Sequence, residues 1–206
     1  MIEIRRPVFV SGENPCLTLV DPETDRTTAV VSYWNVELSP WGLGHALVLW
    51  LEPGAAAPEL GQGAIFTDNQ PLARALVERL TQHFQEFRGM ALLDLPIVEA
   101  ECRQTFNGEH YRAVAQALDS LVEVEWEQIL DRKQVNWPGF PAGEAAYDLT
   151  TVICPVGAGG LRLNGLAVGG TVQTVTSESG SPPASSAFMA FSETWIGPLE
   201  ADKNAA

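Results

Sequence analysis

Glu193 stands in an apolar stripe. Ala187 to Trp195 reads Ala-Phe-Met-Ala-Phe-Ser-Glu-Thr-Trp, and side chains two apart share one face of a strand. Met189, Phe191, Glu193 and Trp195 are thereby expected to point one way, and Ala190, Ser192 and Thr194 the other. A carboxyl among large apolar groups loses hydration, so its pKa rises unless a cation or hydrogen-bond donors compensate. Such a group is a general acid or base, a structural residue paired with a cation, here Arg112 or Arg162, or, if the strand is shifted, a carboxyl exposed at the rim.

Six tryptophans are many for 206 residues. Trp34, Trp50, Trp126 and Trp195 fall in strand-like runs. With Met189 and Phe191 they form either the aromatic wall of a pocket inside a barrel or the filling of its core. His110 and Arg112 share a strand face with Val114 and Gln116, a face that either lines a polar cavity or meets solvent. The histidines at 45, 83 and 110 show no metal-ligand spacing, so no metal site is expected. Gly157 to Gly160 lacks the lysine and the following helix of a phosphate loop, and reads as a hairpin turn. No serine lies in a G-x-S-x-G context.

The elements that must position these residues are mostly strands. Thr28 to Leu38 places Val30, Trp34, Val36 and Leu38 on one face, with Ser32 among them. His45 to Glu52 and Gly63 to Thr67 follow. The period then changes: Leu72, Leu76, Leu80 and Phe84 recur every four residues, which predicts a helix over Pro71 to Arg88. Asp68 or Asn69 can cap it, and Pro71 suits its first turn. Strands resume with Val98, Ala100 and Cys102 facing one side. Asn107-Gly108 marks a hairpin, after which Tyr111, Ala113, Ala115 and Ala117 share a face. In Leu121 to Ile129 the residues Val122, Val124 and Trp126 point inward and Glu123, Glu125 and Glu127 outward. Asp131 to Ala146 reads as a connection. Tyr147 to Pro155, Gly160 to Leu163 and Leu166 to Val175 continue the β pattern, with a tight turn at Asn164-Gly165. Gly54 to Gly63 and Thr176 to Ser186 read as loops.

About nine or ten strands with one polar face each must close or stack to hide their edges. The expectation is a mainly β protein, an antiparallel β-barrel or barrel-like sandwich with one main helix. It forms one domain over residues 1–198, followed by a flexible tail over 199–206.

Composition narrows the function. A net charge of −14 opposes non-specific binding to nucleic acid or anionic membranes. It favours a neutral or cationic ligand. The longest apolar run, near Ala46 to Leu51, is too short for a membrane helix, and the N-terminus lacks a signal-peptide pattern. Cys16, Cys102 and Cys154 suit neither a disulfide framework nor a zinc ribbon. A cytoplasmic protein with reduced thiols is expected.

His45 to Leu80 runs strand, loop, Ala64-Ile65-Phe66-Thr67-Asp68-Asn69, then a helix opening with Leu72-Ala73-Arg74-Ala75-Leu76. This segment resembles flavin-binding split barrels of the pyridoxamine-phosphate-oxidase type. The resemblance implies FMN as cofactor, with Thr67, Asn69 and Arg74 as its contacts. Asp68 departs from that pattern, adding charge of the wrong sign beside a phosphate.

Three functions follow. One is a small-molecule-binding barrel for an apolar or aromatic ligand, without cofactor, in which Glu193 serves as acid or base. The second is a flavin-dependent oxidoreductase. The third is an interaction module or homo-oligomer whose acidic face (Glu99, Glu101, Glu123, Glu125, Glu127) meets a basic partner.

Overall fold

Alternating apolar residues, rich in valine, leucine and aromatics, become strand along most of the chain. The protein is seen in a computed structural model, which describes residues 6–53, 60–175 and 183–197. The predicted tail lies outside these residues, as do parts of the two predicted loops. In chain order the elements are β1 (Val8–Glu13), β2 (Cys16–Val20), β3 (Thr27–Leu38), β4 (Gly44–Leu51), β5 (Gly63–Thr67) and α1 (Gln70–Arg79). Then come β6 (Ile97–Glu99), β7 (Glu101–Phe106), β8 (Tyr111–Gln116), β9 (Leu121–Ile129) and β10 (Lys133–Ala142). The last are β11 (Ala145–Leu163), β12 (Leu166–Ala167), β13 (Thr174–Val175), β14 (Ala184–Ser185) and β15 (Ala187–Ile196).

One large sheet runs in the order β6-β5-β4-β3-β1-β15-β11-β9-β8-β7, with β2 bridging β3 and β15. Among the described residues every pairing is antiparallel except β5 with β6. The sheet curls until β7 comes back beside β4 and β5. There the Ala100 N–H donates to the Thr67 carbonyl at 2.9 Å. The result is a mainly β, barrel-like ring, partly closed, with one main helix.

The inside of the ring is filled by one face of β2 to β5, β7 to β9, β11 and β15. Val31 and Tyr33 of β3, Leu47 and Leu49 of β4, and Val124 and Trp126 of β9 are fully buried there. Of the two roles open to Trp126, pocket wall or core filling, the structure shows core. Its indole N–H donates to the Cys16 carbonyl at 2.8 Å. Met189 is core as well. Gly157 to Gly160 is no hairpin turn but part of the long β11. None of its glycines takes the left-handed backbone of a tight turn. Gly159 lies opposite Trp126, and a Cβ there would come within 2.9 Å of the Glu125 carbonyl oxygen and Leu17.

A second core covers the outer face. Val30, Trp34 and Val36 of β3, with Ala46, Val48 and Ile65, pack under Leu72 and Leu76 of α1. Leu38, predicted to share that face, is exposed. Asn69 caps α1: its Oδ1 accepts from the Leu72 N–H at 3.1 Å, and its Nδ2 donates to the Trp41 and Leu43 carbonyls at 3.0 Å each. Asn69→Ala is expected to cost about 1–2 kcal/mol, read as a lower urea midpoint. An unchanged midpoint would deny the cap its role.

The helix ends at Arg79 rather than near Arg88. Trp34 donates its indole N–H to Thr81 Oγ1 at 3.1 Å, and that hydroxyl donates to the Leu76 carbonyl. This local bonding competes with the helical ladder. The chain continues as short 3-10 turns, Thr81–His83 and Gln85–Phe87. Phe84 and Phe87 still reach the core, so the stripe survives without the helix.

Strands β1 and β2 carry no clear mark in the sequence, because Asn14-Pro15 breaks their pattern. Nor does β10, read as a connection. It pairs only with β11 and so tolerates Pro138 and Pro141 on an edge. Asn107-Gly108 and Asn164-Gly165 do make the expected tight turns, with φ +100° at Gly108, +51° at Asn164 and +80° at Gly165. The three cysteines are free and buried. Among the described residues no helix is long and apolar enough to cross a membrane.

Candidate functional site

A bulge in β15 decides where Glu193 goes. Phe191 pairs with Val152 and Thr194 with Thr150, so Ser192 and Glu193 together oppose Thr151. Ser192 carries φ +50°, a left-handed backbone uncommon outside glycine. The extra residue inverts the alternation. Met189 and Phe191 face the inner core, whereas Trp195 belongs to the outer one and Glu193 lines a cleft beside it. The four residues expected on one face are therefore divided two and two.

Glu193 remains a buried carboxyl after this correction, at 5% exposure. Its Oε1 accepts the Trp195 indole N–H at 2.7 Å and the Asn14 Nδ2 at 3.4 Å. Asn14 is itself oriented, because its Oδ1 accepts the Ser32 hydroxyl at 2.6 Å. Among the described residues neither a cation nor a hydrogen-bond donor reaches Oε2. Arg112, one expected partner, pairs with Glu123 and Glu125 instead. Arg162, the other, donates to the Gly165 carbonyl at 3.4 Å. Burial pushes the Glu193 carboxyl up to about 7, and the bonds from Trp195 and Asn14 only partly offset it.

The cleft holds about 540 Å³ on the outside of the ring. Trp195 and Leu149 form its base on β15 and β11. The 3-10 segment brings Phe84 and His83 to one side, and β10 brings Trp137 and Phe140 to the other. Phe84 stacks on Trp195 at 5.9 Å, and Phe140 meets Trp195 edge-on at 5.0 Å. Trp137 stands edge-on to Phe140 at 5.0 Å and is half in solvent at the mouth. The arrangement is an acid of intermediate pKa, anchored through one oxygen, under an aromatic wall.

Of the residues predicted for the site, only Glu193 and Trp195 meet here. Trp34 lies beneath Phe84 at 6.1 Å, one layer down. Trp50 packs half-buried against the outer core. Phe191 contacts Phe106 at 4.8 Å and Tyr111 at 6.0 Å. Arg112 sits on the outward face of β8, and His110 immediately precedes that strand. Cross-strand pairing brings His110 within 4.8 Å of Glu125 and Glu127, a juxtaposition that chain spacing hides. The predicted acidic face is thus partly neutralised by Arg112.

Sequence reasoning missed Asn14, Trp137, Phe140 and Thr151 as site residues. Two of these were visible as aromatics in the Pro- and Gly-containing stretch before Ala146. Asn14 carried no signal except the Asn-Pro pair that interrupts β1 and β2.

Of the three residues of the flavin resemblance, Thr67 and Asn69 meet just before α1. Thr67 Oγ1 donates to the His45 carbonyl at 2.6 Å and accepts the Asn69 N–H at 2.9 Å. Asn69 is the helix cap already described. Arg74 lines a separate cleft with Gln70 and Glu78. No protein-family model matches this chain, and no curated protein matches its sequence.

Proposed function

We propose that the protein binds an apolar-bodied or aromatic small molecule in the cleft above Trp195, and that Glu193 acts there as general acid or base. The observation that carries the reading is the carboxyl's asymmetry. Oε1 is fixed by two donors, while Oε2 has no partner among the described residues and Glu193 lines the cleft. A buried carboxyl with a pKa near the working pH can both take and return a proton. The aromatic wall would hold a flat substrate against it and exclude water.

The test uses 5-nitrobenzisoxazole, an aromatic carbon acid that reports desolvated bases. A base removes the ring C–H proton, the N–O bond breaks, and the electron pair leaves on the phenolate oxygen. The wild-type rate is expected to rise with pH through about 7, the range in which Glu193 ionises. Glu193→Gln should lower the rate about 100-fold, the ordinary worth of a positioned base. A folded Glu193→Gln variant as fast as wild type would refute the role of the carboxyl.

A further inference from the structure

We propose that the ligand of this cleft is an organic cation, a protonated amine on an apolar or aromatic body. The inference rests on the cleft being the ligand site and names the class of molecule it selects.

Charge placement comes first. Among the described residues the only ionisable group at the floor is Glu193. The other charged or titratable groups at the cleft, His83, Glu86 and Arg88, all come from the 3-10 segment. Arg88 is exposed at the mouth, where water screens it. Glu86 is half-buried, and both Glu86 and Glu193 bear electrostatically on the buried Cys16 thiol, so the two carboxyls gather on one side. The groups that β10 and β11 present (Val135, Trp137, Phe140, Leu149, Thr151 and Ile153) carry no charge.

A neutral ligand would leave an ionised Glu193 desolvated and without a counter-charge, a costly state. An anion would add repulsion. An ammonium group supplies what Oε2 lacks, a charged donor. The walls agree with this choice. Aromatic faces attract cations, and more strongly where water is excluded. Phe84, Phe140 and Trp195 stand within about 6 Å of one another beside the carboxyl. The chain's net charge of −14 also raises the local concentration of cations.

The experiment compares benzylammonium, benzyl alcohol and benzoate, which share a ring and differ in charge. Binding is followed by calorimetry and by the Trp195 indole N–H resonance, for wild type and Glu193→Gln. At about pH 8 benzylammonium should bind wild type at least about 10-fold more tightly than benzyl alcohol, and benzoate more weakly than either. At about pH 5.5, where Glu193 holds its proton, that preference should disappear. Glu193→Gln should lack the preference at both pH values while still binding benzyl alcohol. This variant keeps His83, so it isolates the share of Glu193. The wild-type pH comparison stands alone if the variant fails to fold. Equal affinities for amine and alcohol at about pH 8, with both shifting the Trp195 resonance, would overturn the cation while leaving the cleft as a ligand site. A cation preference retained in Glu193→Gln would overturn it too. If none of the three moves the Trp195 resonance, both the cation and the proposed cleft fall.

Discussion

Glu193→Gln stabilises the protein above neutral pH and leaves it unchanged near pH 4, by an expected difference on the order of 3 kcal/mol. The reason is a proton held by the fold. Glu193 titrates at about 7 in the folded protein against 4.5 for an ordinary glutamate. Below 4.5 both folded and unfolded chains carry the proton, and the group has no pH-dependent effect. Between 4.5 and about 7 the unfolded chain has released it and the folded chain has not, so stability falls as pH rises. Above about 7 the loss is complete. Glutamine is neutral throughout, and its carbonyl can still accept the Trp195 N–H. Urea titrations of both proteins from about pH 4 to pH 9 would measure the difference. A constant gap between them across that range would mean that Glu193 is not desolvated.

Trp126→Ala should destabilise by about 3–5 kcal/mol and leave ligand binding in the outer cleft intact wherever the variant remains folded. Trp126 is fully buried at the centre of the ring, edge-on to Tyr111 at 5.7 Å. Its removal leaves a large cavity and also costs the bond from its N–H to the Cys16 carbonyl, which stays paired with Phe188 in the ladder. Denaturant unfolding would give the cost, and binding of an aromatic amine below the transition would give the second half. A Trp126→Ala protein of normal stability that no longer binds would instead place the ligand inside the ring.

The sequence carried the architecture well wherever one face of a strand is wet. Glu123, Glu125 and Glu127 alternate with Val122, Val124 and Trp126, and β9 lies as read. In β3, buried on both sides, Val30, Trp34 and Val36 share the face read for them, and only Leu38 at the strand's end departs from it by being exposed. The candidate site was legible as a residue and not as a place. Glu193 reads as a buried acid because Met189, Phe191 and Trp195, at even spacings from it, are large and apolar. Its side of the sheet depends on Ser192, and a serine in a left-handed backbone leaves no mark that composition or period reveals. The cleft itself joins residues more than 100 positions apart, Phe84 with Trp195 and Asn14 with Glu193. The pairing of β15 with β1 and the packing of the segment after α1 over β15 bring them together.

The two sides of the cleft differ in how firmly they are held. Trp195 and Leu149 stand on strands paired on both edges. Trp137 and Phe140 stand on β10, which has one partner strand, two prolines without N–H groups, and a ladder interrupted between Trp137 and Phe140. At that break the Gly139 N–H turns to the Asp148 carboxyl at 2.9 Å. Opening free energies fall where backbone bonds are few and exposed. Amide exchange should accordingly be fast along β10 and slow along β11, and an occupant touching Phe140 should slow it. Molecules would enter by displacing one yielding wall against a fixed one, so dissociation rates should follow how far each ligand orders β10.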